Sequence, residues 1–138
     1  MASGWQAYIK NLIDNAPTVI KKAAIVGVND GSLWARSEPP LGETFNAGPE
    51  ELVKIARLFQ GEAYKDAPST GIVVEGVKYI VPRVEDNLIF GKKEKSGVFL
   101  VKTNQAVIIA LYVGDTSEGL ACRGAVERVA QYLQGQGY

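Results

Sequence analysis

The sequence predicts an α+β domain, with a central antiparallel β-sheet, the first and last helices packed on one face and a shorter helix on the other. Three observations carry this. Apolar runs of strand length at 23–28, 97–103 and Ala106–Val113 are bounded by turn residues. Successive strands between 71 and 113 follow too closely for the crossover of about a dozen residues that parallel neighbours need, so their pairing must be mostly antiparallel. Helical periodicity is concentrated near the two ends of the chain and in one segment between. A length of 138 residues suits one domain, 1–138, with a core of its own.

Each element has a local reason. In Ser3–Asn15, Ser3 is placed to cap a helix, and Trp5, Ile9 and Leu12 recur at helical spacing until Pro17 ends it. At about 100° per residue those three side chains share about 60° of arc, with Ile13 flanking, Tyr8 about 60° to one side of Trp5 and Asn11 further round. Residues 23–28 (AAIVGV) read as a strand, Asn29-Asp30-Gly31 as a turn and Leu33–Arg36 as the returning strand of a hairpin. The stretch 37–48, with Pro39, Pro40 and two glycines, reads as a loop.

Pro49-Glu50-Glu51 opens a second helix, because proline suits the first turn and acidic side chains suit the positive end of the helix dipole. Leu52, Ile55, Ala56 and Phe59 form its buried stripe, and Gly61 stops it. A β-meander follows at 71–75, 77–84, 87–92, 97–103 and Ala106–Val113, with turns at 93–96 and at Asn104-Gln105. Pro82 within one strand implies an edge or a bulge. The last helix is expected at 120–134, with a stripe of Val126, Val129, Ala130 and Leu133 and with Tyr132 about 120° away from Val126.

Composition narrows function mainly through what it lacks. There is no histidine, which removes Ser-His and Cys-His catalysis and most zinc sites. The single cysteine, Cys122, allows no intramolecular disulfide, suits a reducing compartment and reads as a small apolar residue near a helix. Fifteen basic residues balance fifteen acidic ones, so no global field draws the protein to nucleic acid, and no nucleic-acid partner is expected. Neither a secretory signal nor a membrane-length apolar stretch is read, which points to a cytoplasmic protein. The Gly91-Lys92 pair lacks the glycine five positions earlier that a phosphate-binding loop requires, since Asp86 stands there. The carboxylate pairs Glu50-Glu51 and Glu85-Asp86 read as helix-start and turn residues. No enzyme, cofactor or metal site is expected.

Two clusters carry functional weight. Trp5 and Tyr8 near one end, Tyr132 and Tyr138 near the other, and Trp34 between them form an aromatic set that packed terminal helices would bring together. The rings read either as ordinary core or, since Tyr8 and Tyr132 lie off their helices' buried stripes, as ridges that accept a polyproline II helix, a preformed ligand that loses little entropy on binding. Tyrosine hydroxyls, indole N–H groups and the Asn11 amide would donate to its carbonyls. The second cluster is Lys92, Lys93 and Lys95, with Lys78 and Arg83 nearby, which reads either as a solvated turn or as a local basic patch for an acidic protein surface or anionic lipid headgroups.

These residues also carry a resemblance. Gly4-Trp5-Gln6-Ala7-Tyr8-Ile9 with Asn11-Leu12, then Ala23-Ala24-Ile25-Val26-Gly27 with Trp34-Ala35, resemble the opening of the profilin family. Gly91-Lys92-Lys93 with Gly97-Val98, Val101-Lys102-Thr103, Val126-Glu127-Arg128 with Tyr132-Leu133, and Gly135-Gln136-Gly137-Tyr138 continue it in order over essentially the whole chain. The resemblance implies a protein that binds monomeric actin and proline-rich segments such as those of formins. It implies delivery of monomers to growing filaments, in the cytoplasm, the cytoskeleton and the cell cortex. By position it implies a proline-rich ligand site at Trp5, Tyr8, Asn11, Ser32, Trp34, Tyr132 and Tyr138. It implies an actin site at Lys78, Val81, Arg83, Lys92, Lys93 and Arg123, and phosphoinositide contacts at Lys78, Arg83, Lys92, Lys93 and Lys95. Lys10, Pro82 and the 37–48 loop depart from the family pattern. The alternative is a small-ligand or lipid-sensing domain on a similar fold, which predicts an enclosed cavity in place of a surface groove.

Overall fold

The computed structural model describes residues 3–138, with side chains from Trp5 onward, so the expected Ser3 cap lies outside the described side chains. In order, the chain forms α1 (Ser3–Asn15), β1 (Ile20–Gly27), β2 (Leu33–Arg36), α2 (Pro49–Leu58), a 3-10 turn (Ala63–Asp66), α3 (Ala67–Thr70), β3 (Ile72–Val74), β4 (Val77–Glu85), β5 (Leu88–Lys93), β6 (Ser96–Lys102), β7 (Ala106–Val113) and α4 (Thr116–Gly135). All strand pairs are antiparallel, in the sheet order β2-β1-β7-β6-β5-β4-β3.

The central strands are apolar on both faces because both faces are covered. On β7, Ala106, Ile108, Ala110 and Tyr112 turn toward α1 and α4, while Val107, Ile109 and Leu111 turn toward α2 and the 63–70 turns. Strand β1 alternates in the same way, with Ala23 and Ile25 on the first side and Ala24 and Val26 on the second. Each fully buried aliphatic side chain contributes roughly 1.5–3 kcal/mol relative to exposure. The expected placement of helices on the two faces is borne out.

Three local features differ from the sequence reading, and one agrees with it. Strand β1 begins at Ile20, three residues earlier than expected, and a register irregularity between Ile20 and Lys22 carries Lys21 and Lys22 along the edge of the apolar run. Helix α4 begins at Thr116 instead of 120, because Asp115 and Glu118 form a capping box in which the Glu118 carboxylate accepts the Asp115 main-chain N–H at 2.7 Å. Residues 63–70, unassigned from sequence, form two short helical turns that bury Tyr64 and Ala67 against the second core. Pro82 sits where the β4–β5 register shifts between Ile80 and Arg83, in line with the bulge among the two alternatives, edge or bulge, that the proline implies.

One polar hub locks the β3–β4 hairpin to its surroundings. Glu75 accepts from Lys22 Nζ at 2.8 Å and from the Asn46 main-chain N–H at 2.7 Å. The Glu51 carboxylate accepts the main-chain N–H groups of Glu75 and Gly76, both of which have positive φ in the turn. Buried Ser37 holds the 37–48 loop on β1, accepting from the Ala23 N–H at 3.0 Å and donating to the Glu43 carbonyl at 2.6 Å.

Candidate functional site

The packing of α1 against α4 and β2 brings the two chain ends together. Gln6 Nε2 donates to the Arg36 carbonyl at 2.9 Å and ties α1 to β2. The tail after α4 turns back at Gly137, whose φ of 92° suits glycine. It is then fixed to the β6–β7 turn. Thr103 Oγ1 donates to the Tyr138 main-chain oxygen at 2.8 Å, the Gln105 main-chain N–H donates to the same oxygen, and Gln105 Nε2 donates to the Gly137 carbonyl at 3.1 Å.

These constraints assemble a cluster of five rings, three of them in contact with the fifth member Trp5 and one reached through Tyr8. The Trp5 ring centre lies 4.7 Å from Trp34, 4.9 Å from Tyr138 in an edge-on arrangement, and 5.4 Å from Tyr8. Tyr8 in turn lies 5.7 Å from Tyr132. Trp5 and Tyr8 are half-buried, whereas Tyr132 is 55 % and Tyr138 39 % exposed. Trp5, Tyr8 and Trp34 therefore pack on the first core, while Tyr132 and Tyr138 face solvent, as helical phase predicts for Tyr132. Burial first, and then the neighbouring Tyr132 and Tyr138 hydroxyls, raise the Tyr8 hydroxyl above its ordinary pKa. At one end the floor runs on past Trp34 to Leu33 and Gln105. Asn11 is exposed on α1.

Ser32 is placed beside Trp34 by the β1–β2 turn. Trp34 Nε1 donates to Ser32 Oγ at 3.2 Å, and Ser32 Oγ donates to Asp30 Oδ1 at 2.8 Å. The main-chain N–H of Ser32 and then its hydroxyl hold the Asp30 carboxyl below its ordinary pKa. Thus the Trp34 indole N–H, expected from sequence to be a donor to ligand carbonyls, is already engaged within the protein. Gly27 lies beneath this turn, where a Cβ would stand 3.0 Å from Trp34 Nε1. Asp30, Gly27, Gln105 and Thr103 were not legible as site residues, because each acts through a main-chain path or a close approach that only the fold creates.

The basic residues divide. Arg83, Lys92 and Arg123 line one groove whose floor is Phe90, Phe99 and Tyr112, three rings stacked at centre distances of 4.9 and 6.0 Å. Leu120, 64 % exposed, stands at its rim, and Ile80, 68 % exposed, pairs across from Lys92. Arg123 is bound to Glu85 through both terminal nitrogens, at 2.9 and 2.5 Å, and to Glu127 at 3.3 Å. Arg83 also reaches Glu85, at 3.3 Å. The Arg123 hydrogen bonds are the main reason that the Glu85 carboxyl is held below its ordinary pKa.

Lys78 lines a different groove, with Ser69 and Thr70, and Lys93 and Lys95 are exposed at the β5–β6 hairpin tip. Val81 is 5 % exposed and packs in the second core, because the strand pleat turns it away from the surface that carries Ile80. Its side chain is not available at a docking face. The sequence does carry a signal for Leu120, which is apolar yet about 120° off the α4 stripe at 100° per residue. Both grooves are open to solvent and not enclosed as the small-ligand alternative requires. Among the described residues no helix is long and apolar enough to cross a membrane.

Comparison with known proteins agrees with this geometry. The family model described as Profilin matches residues 3–138. A Caenorhabditis elegans protein named Profilin-2 is 49 % identical over 136 residues, covering 99 % of both chains. A crystallised Schizosaccharomyces pombe profilin superposes with a TM-score of 0.80 at 35 % identity, covering 97 % of this chain and 99 % of that one. Mouse profilin IIa, solved in complex with a double repeat from the FH1 domain of mDia1, shares the fold with a TM-score of 0.70 at 22 % identity, covering 99 % of this chain and 100 % of that one. The family match over nearly the whole chain, the close relatives and the shared fold lead to one conclusion: this chain belongs to the profilin family.

Proposed function

We propose that this protein is a non-catalytic adaptor that binds proline-rich segments in the aromatic groove and monomeric actin on the opposite side, delivering monomers to growing filaments. The observation that carries the reading is the cluster of Trp5, Tyr8, Trp34, Tyr132 and Tyr138, with adjacent centres 4.7–5.7 Å apart. A proline ring packs between aromatic walls at low entropic cost, because the polyproline II ligand is already rigid. Tyrosine hydroxyls and the Asn11 amide are the donors for its carbonyls. The double FH1 repeat bound by mouse profilin IIa is a ligand of this chemistry, and formin segments of the same kind are the proposed partners here.

The second face is the groove of Arg83, Lys92 and Arg123 over its aromatic floor, flanked by Ile80 and Leu120. Exposed apolar side chains beside cations suit a protein surface with apolar knobs and acidic residues, and that surface is proposed to be actin. Lys78 and Lys93 extend this face, and Val81 supports it from within the second core. Phosphoinositide headgroups are a proposed competing ligand for Arg83 and Lys92 with Lys78, Lys93 and Lys95, which would place part of the protein at the cell cortex.

The test is a titration with a proline-rich peptide followed by tryptophan fluorescence, since Trp5 and Trp34 would gain stacked partners. No change at about millimolar peptide, a weak-binding limit of roughly 4 kcal/mol, would sink the groove assignment. Separately, immobilised polyproline should retain the protein together with actin from cell extract. Retention without actin would count against a second face that works while the groove is occupied.

A further inference from the structure

We infer that Asp30 and Ser32 form a positioning pair that fixes the Trp34 ring and withholds its indole N–H from the ligand. The inference rests on the groove reading above and goes beyond it by assigning a role to a turn residue outside the ring cluster. Asp30 Oδ1 accepts twice from Ser32, from the main-chain N–H at 3.0 Å and from the hydroxyl at 2.8 Å. A serine hydroxyl has one proton. With that proton given to the carboxylate, Oγ presents only lone pairs to Trp34. An indole N–H is a donor only, so the 3.2 Å contact has the right polarity.

The carboxylate thus sets the hydroxyl, and the hydroxyl sets the ring. A hydrogen bond to an ionised acceptor is stronger than a neutral one, which makes Asp30 the fixed end of the relay. The turn itself is held by two main-chain bonds, Gly27 N–H to the Ser32 carbonyl at 2.8 Å and Gly31 N–H to the Gly27 carbonyl at 2.9 Å. Gly27 leaves room for the three side chains to meet, since a Cβ there would stand 3.0–3.2 Å from an atom of each. Trp34 is therefore held 4.7 Å from Trp5 before any ligand arrives. Ordering the ring in advance removes part of the cost of binding. The ring then serves as a stacking wall, and ligand carbonyls are met by other donors.

The experiment uses the full chain, a proline-rich peptide, calorimetry, and the Trp34 indole N–H resonance in nitrogen-edited NMR. Asp30→Ala and Ser32→Ala are expected to move that resonance in the free protein. They are expected to bind peptide about threefold to tenfold more weakly, the worth of one lost hydrogen bond. Asp30→Asn keeps an accepting oxygen and Ser32→Thr keeps a hydroxyl, so both should retain most of the affinity. In the wild type the Trp34 N–H resonance should stay near its free position on adding peptide.

Unchanged or tighter peptide binding by both alanine variants would overturn the proposal, and tighter binding would mean that Ser32 competes with the ligand for the indole proton. Failure of the wild type to bind peptide would instead refute the groove reading. In that case a Trp34 resonance unmoved in the free variants would refute the pair on its own terms.

Discussion

Trp5→Ala, compared with Tyr132→Ala, separates the two jobs that the aromatic cluster does. Trp5 lies within 5.4 Å, centre to centre, of three rings. Favourable aromatic pairs contribute about 0.5–1.5 kcal/mol each beyond burial, which gives a ceiling of about 1.5–4.5 kcal/mol for three. The pairs share neighbours and do not add fully, and Trp5 is only half-buried, so the full core range of about 3–5 kcal/mol for Trp→Ala does not apply. A loss of about 2–3 kcal/mol is expected. Tyr132 meets one ring of the cluster, Tyr8 at 5.7 Å, and is 55 % exposed, so its removal should cost about 0.5–1 kcal/mol. Urea unfolding followed by far-ultraviolet circular dichroism measures both, and the Trp34 fluorescence retained in each variant reports peptide binding. Both substitutions should weaken the peptide, but only Trp5→Ala should shift the unfolding midpoint strongly. Equal destabilisation by the two, or none by Trp5→Ala, would refute the assignment of Trp5 as the anchor.

Three further outcomes follow from the same geometry. Gly27→Ala places a methyl 3.0–3.2 Å from Trp34, Asp30 and Ser32, so calorimetry should show severalfold weaker peptide binding, about 1 kcal/mol; full affinity would mean that the turn yields freely. Burial pushes the Cys122 thiol up from 9.0 to about 12, so the unfolded chain releases this proton first and stability should fall as pH rises from about 9 toward 12. Urea midpoints across that range should fall less steeply in Cys122→Ala, the buried tyrosines supplying the remaining slope, and an identical slope would contradict the burial. Glu85→Gln removes the carboxylate shared by Arg83 and Arg123, so cosedimentation with phosphoinositide vesicles should increase, and a decrease would show that Glu85 positions the arginines for binding.

Legibility from sequence followed how local each cause was. The helix α1, the Asn29-Asp30-Gly31 turn and the β7 run were readable because periodicity and turn chemistry are short-range. Helix α4 starts ahead of its apolar stripe because Asp115 and Glu118, at capping-box spacing in the sequence, carry it forward to Thr116. The 63–70 turns were missed because their single-turn length gives no period to detect. For the site, the rings were identified by position and phase. The hydrogen bonds that hold them were not, since Thr103 and Gln105 reach Tyr138 across a separation of more than 30 residues.

By itself the sequence determined that this is an antiparallel α+β domain without histidine chemistry, carrying aromatic residues at both ends of the chain. These follow from composition and from interactions over a few residues. Only the tertiary structure decided that half-buried Trp5 lies within 5.4 Å of three rings while Tyr132 meets one ring of the cluster. It alone separated Arg83, Lys92 and Arg123 from Lys78, turned Val81 inward and committed the Trp34 indole to Ser32. The reason is geometric: strand register, pleat and the approach of distant loops fix which face a side chain occupies, and none of these is encoded by its immediate neighbours.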